Sequence, residues 1–102
     1  MDHPKVVLLV RFKTSLSLEE VSKVADERAP EFRALEGLYQ KYYLQDVASG
    51  ECAGLYRWKS PEALAKFRDS EVRASIAAAY QIEGESRVEV YRVAKTLREE
   101  IA

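Results

Sequence analysis

The stretch Gly37–Trp58, GLYQKYYLQDVASGECAGLYRW, constrains the fold most. It holds five of the ten aromatic residues: Tyr39, Tyr42, Tyr43, Tyr56 and Trp58. It reads as a long β-hairpin of strands Leu38–Val47 and Glu51–Lys59. The turn is Ala48-Ser49-Gly50, where Gly50 is free to take positive φ. A loop of this length sets Val47 opposite Glu51. One face then carries Gln40, Tyr42 and Leu44 against Trp58, Tyr56 and Gly54. The other carries Tyr39, Lys41, Tyr43 and Gln45 against Lys59, Arg57, Leu55 and Ala53. Side chains alternate along a strand, so a slip of one residue would change the partnering of these faces.

The flanking segments place the hairpin in a larger sheet. Residues 5–13, KVVLLVRFK, are apolar on both faces at the centre, the pattern of a strand covered on both sides. Ser17 with Glu20 has capping-box spacing. Leu18, Val21, Val24 and Ala25 follow at helical spacing, and the helix is expected to end near Ala29, before Pro30. Ser60-Pro61-Glu62 starts a second helix, with Ser60 as N-cap. Ala63, Leu64 and Phe67 form its stripe. The pattern pauses at Arg68-Asp69-Ser70, resumes with Val72, Ile76, Ala79 and Tyr80, and ends at Gly84, so the segment is one broken helix or two short ones. Ser86–Ala94 alternates as a last strand, and the charged tail has helical propensity. The order β-α-β-β-α-β predicts a ferredoxin-like α+β domain spanning residues 1–102, with a four-stranded antiparallel sheet and two helices on one face. The opposite face would expose Val7, Leu9, Leu55, Tyr39 and Tyr43. An apolar patch of that size calls for a partner, and the simplest is a second copy, giving a homodimer through the sheet.

Composition narrows the function classes. The net charge is −1 with the signs interspersed, which offers no field for nucleic acid or an anionic membrane. No apolar stretch approaches membrane-spanning length and no signal-peptide pattern opens the chain, so a cytoplasmic protein is expected. A single cysteine, Cys52, and a single histidine, His3, argue against an intramolecular disulfide or a zinc site. A charged fraction of 32% and the absence of asparagine point to a thermophilic source.

The hairpin and the turn after it resemble a known family. Gly37-Leu38, Lys41, Ser49-Gly50-Glu51, Gly54-Leu55-Tyr56 and Trp58-Lys59-Ser60-Pro61-Glu62-Ala63-Leu64, then Phe67 and Asp69-Ser70-Glu71-Val72, carry the likeness. The chain is similar to the dimeric α+β-barrel proteins related to antibiotic-biosynthesis monooxygenases, and within them to the YdhR-type proteins. The resemblance implies a pocket between sheet and helices and oxidation of electron-rich aromatic compounds by molecular oxygen, with no metal or flavin cofactor. Trp58 matches the family tryptophan that closes the third strand. Gly54 stands where a polar residue is often found. Haem-degrading relatives use an asparagine, a tryptophan and a histidine. The histidine position falls near Ala77 here, so that constellation is incomplete.

The site expected from these residues has Trp58 and Tyr42 in catalytic roles. Tyr56, Gly54, Phe67 and Tyr80 bind the substrate, a small aromatic compound. Rings supply flat contact area, and a tyrosine hydroxyl adds a polar handle. The same rings could instead fill the space between sheet and helices, leaving a binding or structural dimer module. Arg11 and Arg57 interrupt apolar strands and need partners, Glu89 being one candidate for them. Cys52 reads as a small buried strand residue.

Overall fold

The computed structural model describes residues 5–98. Its elements are β1 (Val6–Thr14), α1 (Leu18–Arg33), β2 (Leu38–Gln45), β3 (Cys52–Trp58), α2 (Pro61–Arg68), α3 (Glu71–Ala74), α4 (Ile76–Ala79) and β4 (Ile82–Arg92). The strands form one sheet in the order β2-β3-β1-β4, with every neighbouring pair antiparallel. This is the ferredoxin-like arrangement, with the helices on one face.

Local chemistry sets the helix ends. Ser17 and Glu20 form a reciprocal capping box at the start of α1, and Ser60 caps α2 with Pro61 in its first turn. α1 runs through Pro30 to Arg33 rather than stopping at Ala29. Pro30 lies close enough to the C-terminus that one lost hydrogen bond is tolerated, and burial of Phe32 anchors the added turn. The second helical segment breaks into three pieces. The Ser70 hydroxyl donates to the Phe67 carbonyl while accepting from the Arg73 amide, so it ends one helix and starts the next. Gly84 does not end a helix. It lies inside β4, beside the register irregularity between Arg11 and Lys13, and β4 begins four residues earlier than the alternation from Ser86 predicts. Residues 93–98 form no helix or strand, and the rest of the tail, like His3, lies outside the described residues.

Burial alternates strictly along the two central strands. Val6, Leu8, Val10 and Phe12 of β1, with Cys52, Tyr56 and Trp58 of β3, face the helices and form the core with Val21, Phe32, Leu64, Phe67, Ile76 and Tyr80. Val7, Leu9, Ala53 and Leu55 share the outer face. Arg11 also lies there, within 3.6 Å of Asp46 and 3.7 Å of Glu89. The expected Arg11–Glu89 pairing is therefore present.

The hairpin register differs from the expected one by one residue. Tyr43 opposes Gly54, Lys41 opposes Tyr56 and Tyr42 opposes Leu55. The loop is a residue longer than predicted. Asp46 closes it: its amide donates to the Glu51 carbonyl, its carbonyl accepts from the Gly50 amide, and its carboxylate accepts from the amides of Ala48 and Ser49. Gly50 completes the turn at φ +77°. The slip turns Lys41 and Tyr43 to the helix side of the sheet, where Tyr43 stays partly exposed, and Tyr42 to the outer face. There the Tyr42 hydroxyl accepts from Arg57 at 3.2 Å. A second irregularity between Leu38 and Gln40 puts the Tyr39 ring within 5.2 Å of the Arg57 guanidinium.

Candidate functional site

Lys41 is the unusual group of the helix side. Its Nζ lies 3.6 Å from the centre of the Phe32 ring, 4.3 Å from Tyr43 and 4.5 Å from Tyr56. α1 supplies Phe32, β2 supplies Tyr43 and β3 supplies Tyr56, so three elements build the enclosure. Gly54 lies beside it on β3. An added Cβ would stand 3.1 Å from Tyr56 Cε1 and 3.6 Å from Lys41 Cε. The mid-strand glycine is thus explained by close approach of a ring and a lysine stem.

Among the described residues no carboxylate reaches Lys41 within ion-pair distance. Burial, reinforced by the positive charge of Arg28, lowers its amine to about 7. The ring faces favour the ammonium and oppose that drop. Near neutrality, Lys41 is therefore both a cation and a free amine. Burial also raises the Tyr43, Tyr56 and Tyr80 hydroxyls above the ordinary phenol range. These stay protonated as donors.

Lys41 separates two spaces. Outside it, Ala29, Phe32, Arg33, Leu38, Tyr39, Gln40 and Tyr43 line an open cleft of about 350 Å³ between α1 and β2. That is within the usual range for small-molecule sites. Inside it, Val10, Phe12, Gly54, Tyr56, Ile76 and Tyr80 border a cavity of about 20 Å³. That is about the size of one water. The Tyr80 hydroxyl is buried there without a hydrogen-bond partner. It lies close enough to the Tyr43 hydroxyl for each to affect the other's ionisation, but the two do not meet in hydrogen-bond geometry.

The residues expected from the sequence are thereby divided. Tyr56, Gly54 and Tyr80 meet at the inner cavity with Lys41. Tyr42 does not join them, because the register slip puts it on the other face of the sheet. Trp58 is fully buried and stacks on Tyr56 at 6.2 Å with nearly parallel planes. Trp58 and Phe67 border a different cleft, of about 260 Å³, with Leu35, Ala63 and Ser70. The Trp58 indole nitrogen is buried without a partner. The interior beside Trp58 is otherwise filled by the packed rings of Phe32, Tyr56, Trp58 and Phe67, as the core-filling alternative expected. Lys41 was missed as a site residue because the expected register faced it outward. Asp46 was the available signal, since aspartate favours the first position of a turn with glycine following at its end.

Solved structures share this architecture. SnoaB, a cofactor-independent oxygenase from Streptomyces nogalater, superposes with a TM-score of 0.73 at 17% identity, over 95% of this chain and 100% of that one. The chain has the antibiotic-biosynthesis monooxygenase-like fold. Rv0793 from Mycobacterium tuberculosis matches at TM-score 0.71 and 19% identity, covering 91% of this chain and 98% of the other. A Caulobacter crescentus protein provisionally classed as an antibiotic biosynthesis monooxygenase matches at 0.72 and 15%, covering 92% and 93%. No family model and no curated protein matches the sequence. The similarity carries the monooxygenase-like fold and not the YdhR-type subgroup. No helix among the described residues is long and apolar enough to cross a membrane.

Proposed function

We propose that the protein binds a small, electron-rich aromatic compound in the α1–β2 cleft and oxygenates it with molecular oxygen, without a metal or organic cofactor. One observation carries this reading: a half-buried amine, unpaired with any carboxylate among the described residues and lowered to about 7, forms the floor of an aromatic-walled cleft. A base works best when its pKa is near the working pH. A phenol-flanked methylene would lose a proton to neutral Lys41. The resulting carbanion reduces oxygen and forms a carbon–oxygen bond, and the Lys41 ammonium returns its proton to give a hydroperoxide. Loss of water leaves a ketone, with one oxygen atom in the product and the other in water. Arg33 and the Lys41 ammonium favour the anionic form of the substrate. The cofactor-independent oxygenase sharing the fold supports the reaction class.

The filled interior favours a second reading, in which the same cleft binds without chemistry. Oxygen consumption with a panel of anthrones and hydroquinones separates the two. Uptake should occur, and Lys41→Gln should lower kcat by about 100-fold or more, the usual contribution of a general base. Binding without uptake across the panel would leave the binding reading alone, and unchanged uptake in Lys41→Gln would remove Lys41 from the chemistry.

The reading extends to assembly. Val7, Leu9, Leu55, Leu44 and Tyr42 form an apolar outer face, with Tyr91 beside them on β4. A second copy covers it as a homodimer in this proposal, leaving the α1–β2 cleft open on the helix side.

A further inference from the structure

We propose that Lys41 is also a nucleophile, and that its Nζ condenses with a small aromatic aldehyde seated in the α1–β2 cleft. The step forms a carbon–nitrogen double bond. The aldehyde oxygen leaves as water, taking up the two protons that the amine gives up, and nothing is oxidised or reduced. The inference rests on the reading above only for the seat of the ligand.

The geometry supplies each requirement. The amine is held by rings and not by an acid, so no carboxylate among the described residues must be displaced before it attacks. The cleft on its outer side is about 350 Å³, enough for a single-ring ligand. Arg33 and Gln40 line that cleft and suit a carboxylate or phenolate on the ring. On the inner side, the space of about 20 Å³ is the size of one water. Tyr80 borders it with a hydroxyl that is buried, protonated and without a partner, a donor for the departing hydroxyl of the carbinolamine. An amine lowered to about 7 is about half unprotonated at neutral pH, which surface lysines are not. The titratable and charged groups around it are Arg28 and Arg33 of α1, Tyr43 of β2, Tyr56 of β3 and Tyr80 after α4, with Asp26 of α1 acting through Tyr43 and Arg73 of α3 through Tyr56.

The test treats the whole protein at pH 7 with limiting 4-formylbenzoate and cyanoborohydride, then maps the modified lysines by peptide mass. Lys41 should be modified at least about tenfold faster than exposed lysines such as Lys66, given the difference in free amine. Benzoate in excess should slow Lys41 alone, and Lys66→Arg should leave its rate unchanged. Label spread over the lysines by exposure, with Lys41 no faster, would overturn the proposal without any variant. Fast labelling without oxygen uptake removes the oxygenase reading alone. Uptake that depends on Lys41, without fast labelling, removes the nucleophile alone.

Discussion

Lys41 half-buries an amine where a neutral side chain would cost less, and the cost depends on pH. Its pKa is about 7 folded. The unfolded chain takes the proton near the ordinary lysine value of about 10.4. Between those values the unfolded state binds more protons, so stability rises with pH through that window and the penalty is complete below about pH 7. Lys41→Met removes the charge and keeps the stem. It should raise unfolding free energy by about 1–2 kcal/mol at pH 6, less than the full shift because part of the side chain meets solvent, with the gain fading toward pH 10. Denaturant melts of both proteins at pH 6, 8 and 10 check this, and parallel curves would mean the amine titrates normally. Trp58 contrasts with Lys41. It is 0% exposed and does not line the α1–β2 cleft. Trp58→Phe should lower stability by about 1–3 kcal/mol. Ligand affinity in the cleft should stay unchanged, as calorimetric titration would measure. The inward face of the tryptophan was legible because its place at the end of β3 does not depend on the hairpin loop. The lysine was not, because its face does.

At the scale of elements, most of the architecture was readable and the hairpin register was not. Capping residues and periodicity located the strands and the main helices, since Ser17, Glu20 and Ser60 act locally. Register is a joint property of two strands and their loop. One extra loop residue, held by the Asp46 carboxylate, exchanged Tyr42 and Tyr43 between faces. Pro30 was read as a stop because its local preference was clear, whereas the burial of Phe32 that overrides it is tertiary. Gly54 links the register to the site, since its missing side chain leaves room for the Tyr56 ring beside Lys41. Gly54→Val should displace the Tyr56 ring that walls the amine. A loss of about 1–3 kcal/mol is expected from overpacking, along with loss of cleft binding. Unchanged affinity in a folded Gly54→Val protein would show that the glycine has no bearing on the site.

The whole molecule presents two faces: a helix side with the cleft, and an outer sheet face with exposed Tyr42, Leu44 and Tyr91. If a second copy covers the outer face, Leu9→Asp with Leu55→Asp should convert a dimer to a monomer in light scattering at micromolar concentration. A monomeric native protein would refute the dimer. Because the cleft lies on the other side, the separated monomer should still bind aromatic ligands. The decisive property of that cleft remains the state of one amine. A proton-carbon NMR titration of ¹³C-labelled lysine Cε groups in the intact protein, with Lys41→Arg for assignment, reads it directly. One resonance, absent from the variant, should titrate with a midpoint of about 7 and shift when an aromatic ligand is added. Midpoints above about 9 for every lysine, with none moving on ligand addition, would contradict the site.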